Sequence, residues 1–180
     1  MIRKDVLFTR YEIEKRVHEL AKEIAVDYRG KDLVLLAVLN GGVMLAADVL
    51  RSLWDIGFTY VQFDSLKVSS YGHKFESSGQ PQILKDIRLD ITGKDLLIVE
   101  DIIDTGLTVQ AMLDFMRGRG PASCEVMALL SKPEDVRRVP VDVKYVGFHI
   151  ENVWVEGYGI DSAEEGRNNP NIMQVIRKDV

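Results

Sequence analysis

Three carboxylates and two hydroxyls crowd into one short stretch, Leu96–Thr108, which reads LLIVEDIIDTGLT. Glu100 and Asp101 are adjacent, Asp104 follows, and Thr105, Gly106, Leu107 and Thr108 close the stretch. Small polar residues at the start of a helix make an anion site, because the first-turn N–H groups are free and the helix dipole adds positive potential. Gly106 lets the backbone approach a ligand closely, and the hydroxyls of Thr105 and Thr108 add donors. Glu100 and Asp101 repel a phosphate, so their place beside this turn points to a ligand that also brings hydroxyls or a cation. A ribose diol donates to such a pair, and Mg²⁺ takes oxygen ligands while keeping several waters. A sugar phosphate with a neighbouring diol and a magnesium-bound pyrophosphate satisfies every one of these groups.

The elements that position this chemistry are legible around it. Leu96, Leu97, Ile98 and Val99 form an apolar run suited to a parallel strand buried on both faces. After the acids, Leu107, Ala111, Leu113, Phe115 and Met116 can supply the apolar face of a helix through about Arg117. The acids thus sit where a strand hands over to a helix, and open α/β sheets bind ligands at the carboxyl ends of their strands. Leu33–Leu39 is a second buried strand, followed by the turn Asn40-Gly41-Gly42 and a helix from about Val43 to Trp54, with Met44, Leu45, Ala47 and Leu50 available for packing.

Further out, Thr9-Arg10-Tyr11-Glu12 has capping-box spacing, and Ile13, Val17, Leu20, Ala21 and Ile24 trace one helical face to about Tyr28. Gly30-Lys31-Asp32 reads as a turn. Thr59–Val68 alternates loosely, and Ser69–Gln80 is a long polar loop, a kind of segment that is usually functional or disordered. Ile83–Leu89 reads as a returning strand, Glu125–Leu130 as a buried strand and Val143–Ile150 as a further one, with Ile172–Ile176 as a last short strand. The expected class is α/β, a mainly parallel sheet flanked by helices.

Composition bounds the reading. A chain of 180 residues suits one domain, 1–180, with a substantial core. A formal net charge of −5 disfavours a nucleic-acid surface. No run is long and apolar enough to span a bilayer, and Met1-Ile2-Arg3-Lys4-Asp5 lacks the apolar stretch of a signal peptide. Cys124 is the single cysteine, so no intrachain disulfide forms, and a cytoplasmic location is expected. It sits near an apolar stretch and reads as a buried, inert thiol. His18, His73 and His149 lack metal-ligand spacing and are assigned no catalytic role. Neither a Walker P-loop nor a Rossmann glycine fingerprint is present.

The string VEDIIDTGLT resembles the phosphoribosyl pyrophosphate (PRPP) motif of type I phosphoribosyltransferases, and in detail that of the hypoxanthine-guanine branch. The resemblance runs from about Leu33 to Arg167 and implies a small hood from roughly 1–10 and 150–180 over a base site. It implies magnesium-dependent transfer of 5-phosphoribosyl from PRPP to a 6-oxopurine, giving IMP or GMP, and a homodimer or homotetramer. The loop of Asp104, Thr105, Gly106, Leu107 and Thr108 would take the 5′-phosphate, with Asp104 the candidate general base. Glu100 and Asp101 would hold the ribose hydroxyls or a metal-bound water. Asn40 and Gly41 match a family turn with a non-proline cis peptide whose amides meet pyrophosphate, although the family often carries Lys at the position of Asn40. Ser70 and Tyr71 match the Ser-Tyr pair of a closing lid. Lys132 would donate to the oxygen at carbon six of the purine, Trp154 would stack on its ring, and Val155 would meet its edge. Asp161, at the same base site, matches a magnesium-holding acid, and Arg167 matches an arginine that reaches pyrophosphate, although Gly166 stands where the family often has an aromatic.

Taken singly, most of these residues have plainer readings: Asn40-Gly41-Gly42 as a tight turn, Lys132, Asp161 and Arg167 as solvated surface charges, Trp154 as core. Three alternatives to the purine enzyme stay open. One is a xanthine-preferring enzyme of the same type, another an enzyme for adenine or a pyrimidine, and the third a non-catalytic PRPP sensor.

Overall fold

Successive residues of Leu33–Leu39 point to opposite faces of a sheet, and Leu33–Val38 are buried on both. Leu33, Leu35 and Ala37 enter one apolar cluster, and Val34, Leu36 and Val38 enter another. A strand with two apolar faces needs cover on both sides, and this sets the layering. The structure, a computed structural model, describes residues 2–68 and 82–177.

In chain order the elements are β1 (Ile2–Phe8), α1 (Arg10–Asp27), β2 (Leu33–Leu39), α2 (Val43–Asp55), β3 (Gln62–Val68) and β4 (Ile83–Lys85). They continue with β5 (Asp95–Ile103), α3 (Leu107–Arg117), β6 (Ser123–Ser131), β7 (Tyr145–His149), β8 (Val155–Glu156) and β9 (Ile172–Arg177). The larger sheet has the order β4-β3-β2-β5-β6-β7. All its neighbours are parallel except β4, which returns antiparallel beside β3. Helices α1 and α2 cover one face and α3 the other. A second sheet, β1-β9-β8, joins the two ends of the described chain. It is the expected hood, and Val155, Tyr158, Ile160 and Ile172 sink from it into the α1–α2 side of the core.

Several sequence boundaries move. The central strand does not stop at Val99 but runs on to Ile103, so Glu100 and Asp101 are strand residues rather than the start of a loop. Parallel pairing with β6 continues past the acids, Ile103 lying opposite Ser131. The expected strand Ile83–Leu89 shrinks to Ile83–Lys85, because the amides of Arg88 and Leu89 turn to donate to the Asp64 carboxylate. The faces of two helices are rotated. In α2 the buried stripe is Leu45, Ala46, Val49 and Leu53, leaving Met44 exposed. In α3 it is Val109, Met112, Leu113 and Met116, leaving Leu107, Ala111 and Phe115 half-buried. Strand β1 escaped the sequence reading, since an N-terminal run of mixed charge carries no clean alternation.

Helix α1 has the fully capped start that its sequence spacing predicts. The Glu12 amide donates to Thr9 Oγ1 at 3.3 Å, and the Thr9 amide donates to Glu12 Oε2 at 2.8 Å. The Arg10 amide donates to Asn171 Oδ1 at 2.8 Å, which ties the helix start to the hood. The polar run Asn168–Asn171 is thus wiring for the hood, with Asn169 Oδ1 accepting from the Asn171 amide at 3.0 Å. Thr9→Ala should cost about 1 kcal/mol and lower Tm by about 2–4 °C, as read by thermal unfolding.

Candidate active site

Helices α2 and α3 lack the caps that α1 has. Neither Gly42 nor Gly106, their N-cap residues, offers a side chain, and neither helix has an acid in its first turn. The start of α3 and the turn leading into α2 line one cavity at the carboxyl ends of the parallel strands. It has a volume of about 240 Å³ and is lined by Asn40 and Gly41 before α2, by Glu100, Asp101 and Ile102 on β5, by Asp104, Thr105, Gly106 and Thr108 into α3, and by Asp161 and Arg167 from the hood. The uncapped start of α3 opens on this cavity and suits an anionic end of a ligand.

Close approach explains the glycines. Gly106 sits at φ +80°, a left-handed conformation, and a Cβ there would lie 2.6 Å from the Val139 carbonyl oxygen. A Cβ on Gly41 would lie 1.5 Å from Asp101 Oδ2, so only glycine lets this turn rest on the acid. The Leu39–Asn40 peptide just before it is cis.

The acids are held apart from bulk water. Glu100 is 8 % exposed. Its Oε1 accepts from the Asp101 amide at 3.1 Å, and Asp101 Oδ1 accepts from the Ile102 amide at 2.7 Å. Burial, reinforced by the neighbouring Asp101, pushes the Glu100 carboxyl well above the usual carboxylate range. Burial also raises Asp101, against the opposing pull of its hydrogen bonds and of Arg167. Such a pair is poised for a ligand that brings a cation or hydroxyl donors. Among the described residues no three His, Cys, Asp or Glu gather into a closed protein metal cage.

Asp104 behaves differently. It is exposed, and its Oδ1 lies 3.2 Å from Lys132 Nζ. Lys132 is no solvated surface lysine: it is 9 % exposed, just past the end of β6. Its amide donates to the Ile103 carbonyl at 3.0 Å, and the amide of Arg138 donates to that of Thr105 at 2.9 Å, so the loop after β6 lies along the β5–α3 turn. Arg137 locks this loop from behind, donating to Ser131 Oγ at 2.7 Å and to the Val141 carbonyl at 3.1 Å. Sequence reading passed over Arg137, which looks like any loop arginine until its partners are seen.

In the hood, Arg167 Nη2 pairs with Asp161 Oδ1 at 2.8 Å, and Nη1 donates to the Gly159 carbonyl at 2.8 Å. Trp154 is 53 % exposed and lies outside the cavity wall, its Nε1 donating to Ser162 Oγ at 3.2 Å. Val155 is buried in β8. Leu107 is half-buried in the first turn of α3. The structure thus gathers Asn40, Gly41, Glu100, Asp101, Asp104, Thr105, Gly106, Thr108, Asp161 and Arg167 around one cavity and joins Lys132 to it through Asp104. It leaves Trp154 and Val155 on the hood beside it. Ser70 and Tyr71 lie outside the described residues. Ile102, which lines the cavity between the acids and Asp104, had no signal beyond its place in an apolar run.

Fold and cavity together define an α/β protein with an acid-lined cavity at the carboxyl ends of its parallel strands. Comparison with known proteins is specific. Residues 6–163 match the phosphoribosyl transferase domain, and the chain belongs to that family. It is 42 % identical over 168 residues to the hypoxanthine-guanine phosphoribosyltransferase of Dictyostelium discoideum, covering 93 % of this chain and 92 % of that one. It is 44 % identical over 171 residues to the enzyme of that name from Mycobacterium avium, covering 92 % and 82 %. The crystal structure of a hypoxanthine-guanine phosphoribosyltransferase from Bacillus anthracis superposes with a TM-score of 0.87 at 37 % identity, covering 98 % of this chain and all of that one.

The buried acids have a measurable consequence. A folded-state pKa above the unfolded value means that the folded chain keeps a proton the unfolded chain has lost. The stability this gives is full below the unfolded pKa, roughly 4.3 for Glu, and is lost as pH rises through the folded value. In the ligand-free chain Glu100→Gln should therefore melt above the parent at pH 8, with the gap closing toward pH 4. Calorimetric unfolding across that range checks it.

Proposed function

We propose that this chain transfers the 5-phosphoribosyl group of PRPP to hypoxanthine or guanine, releasing pyrophosphate and giving IMP or GMP in purine salvage. The observation that carries the reading is the cavity itself, where the uncapped start of α3 and the Asn40-Gly41 turn flank the Glu100–Asp101 pair. Its relatives are named for this activity.

In this reading the amides and hydroxyls of the Asp104–Thr108 turn anchor the 5′-phosphate. Glu100 and Asp101 accept from the ribose hydroxyls. The Asn40-Gly41 turn and Arg167 take the pyrophosphate, where a planar guanidinium suits phosphate oxygens. Lys132 donates to the oxygen at carbon six of the purine, an acceptor that adenine lacks. Trp154 and Val155 frame the base from the hood, and Ser70 and Tyr71 belong to the loop that closes over the site. Closure serves the chemistry, because a ribosyl cation-like transition state open to solvent would be captured by water.

The transfer balances simply. The purine nitrogen bonds to the anomeric carbon as the bond to pyrophosphate breaks, and pyrophosphate leaves with the electron pair. The proton on the purine imidazole ring passes to Asp104. An ordinary carboxylate is a weak base, so it acts on a proton that the forming bond has already loosened. The carboxylates of Glu100, Asp101 and Asp161 are oxygen donors of the kind Mg²⁺ prefers, directly or through water. Mg²⁺ supplies neutralisation of the charge that develops on pyrophosphate.

We also propose a homodimer or homotetramer acting in the cytoplasm. The structure of the Trypanosoma cruzi relative, 41 % identical with a TM-score of 0.88, concerns the role of its C-terminal region on oligomeric state and enzymatic activity. The buried Cys124, its thiol pushed up to about 11 by burial, is in keeping with a reducing compartment. No helix among the described residues is long and apolar enough to cross a membrane.

The test is nucleotide formation from PRPP and Mg²⁺ with hypoxanthine, guanine, xanthine and adenine offered separately. IMP and GMP should form and vanish on chelation, whereas absence of product with every base despite PRPP binding would favour a sensor. Asp104→Asn should lower kcat by about 10²–10⁴-fold and leave PRPP affinity nearly unchanged. Equal loss of both would make Asp104 a binding residue.

A further inference from the structure

Tyr158 has a backbone conformation that its size disfavours. It sits at φ +47° between Gly157 and Gly159, themselves at positive φ. Bulky residues are uncommon there, and such a conformation persists only where the surroundings enforce it. Three contacts do so. The ring is 9 % exposed and belongs to the apolar core under the hood. The amide donates to the Asn169 carbonyl at 2.7 Å. The hydroxyl donates to Asp48 Oδ2 at 2.6 Å, across the gap between the hood and helix α2. The other oxygen of that carboxylate is already fixed by Arg51 Nη1 at 2.7 Å. Burial and the Asp48 bond both raise the Tyr158 phenol, so it stays a donor at working pH.

The elements on the two sides of this bond are the two halves of the proposed pyrophosphate site. On the body side, α2 starts directly after Asn40-Gly41-Gly42. On the hood side, Tyr158 opens the turn that continues through Gly159 to Asp161. Gly159 binds Arg167 twice, through its amide to the Arg167 carbonyl at 2.9 Å and through its carbonyl to the guanidinium. A Cβ on Gly159 would lie 2.2 Å from the Gly41 carbonyl oxygen, so the two turns touch. Core filling accounts for the ring of Tyr158. It does not account for the hydroxyl, which a phenylalanine would lack without leaving a void.

We propose that Tyr158 is a positioning residue: its bond to Asp48 holds the hood turn bearing Asp161 and Arg167 in register with the Asn40-Gly41 turn, and so sets affinity for the pyrophosphate end of the substrate. This rests on the reading that PRPP occupies the cavity. The oxygen of the purine is met by Lys132, on the loop after β6, which this bond does not hold, so the larger effect falls on PRPP.

The experiment is steady-state kinetics of Tyr158→Phe, Asp48→Ala, Asp48→Asn and the double variant Tyr158→Phe/Asp48→Ala, with unfolding temperatures alongside. KM for PRPP should rise about tenfold in Tyr158→Phe and Asp48→Ala, the loss expected for one hydrogen bond to a charged group. The KM for hypoxanthine, and kcat at saturating PRPP, should stay within about twofold. Asp48→Asn keeps an acceptor and should restore near-parent KM, and the double variant should be no worse than the weaker single. An unchanged KM for PRPP with only a lower Tm would make Tyr158 structural and overturn the proposal. Equal changes for both substrates, or additive singles, would overturn it too. If Tyr158→Phe fails to fold, the Asp48 pair still decides. A parent chain that forms no nucleotide refutes the functional reading separately. Calorimetric titration with pyrophosphate then decides the latch, about tenfold weaker binding in Tyr158→Phe supporting it and equal binding refuting it.

Discussion

Two adjacent carboxylates buried at the end of a central parallel strand are the constraint on which the rest of this molecule depends. Burial raises both Glu100 and Asp101, and the nearest side chain to each is the other, with Arg167 the cation that pulls Asp101 back. Each carboxylate accepts from the amide of the residue that follows it, Asp101 for Glu100 and Ile102 for Asp101. The strand that carries them must be rigid, and its neighbours β2 and β6 with apolar cover on both faces make it so. Because Asp101 lies against the turn after β2, that turn has to be glycine at position 41. In the proposed function a ligand with a diol and a cation relieves the crowding.

Capping divides the helices by task. Helix α1 satisfies its first amides with Thr9, Glu12 and Asn171, and it serves the core and the hood. Helices α2 and α3 have no side-chain cap, and the start of α3 opens on the cavity. Unsatisfied amides are a liability in a buried helix end, and in the proposed function those of α3 are the phosphate-binding surface. Lys132 and Asp104 follow a similar logic: each holds the other in the free chain, at the mouth of the site where a base would enter.

The body of the fold was legible because buried parallel strands are continuous apolar runs. Leu33–Leu39 reads off the sequence with the bounds it has in the structure. The acid cluster was legible because residue types that repel one ligand and attract another rarely sit together. Helix faces were less so: Met44 and Leu45 are both apolar, and only packing decides that Leu45 turns inward. The continuation of β5 through its acids was hidden, since a strand pairing with β6 overrides the expectation that carboxylates end it. The roles of Arg137 and Tyr158 were invisible, because each depends on partners brought together by the fold: the loop after β6 for one and helix α2 for the other.

A crystal structure of the chain with GMP bound tests the central claim most directly. The account places the 5′-phosphate on the amides and hydroxyls of Thr105–Thr108, the ribose hydroxyls at Glu100 and Asp101, and Lys132 Nζ turned from Asp104 to the oxygen of the base. A nucleotide whose phosphate sits away from the start of α3, or whose ribose leaves the acid pair unengaged, would contradict it.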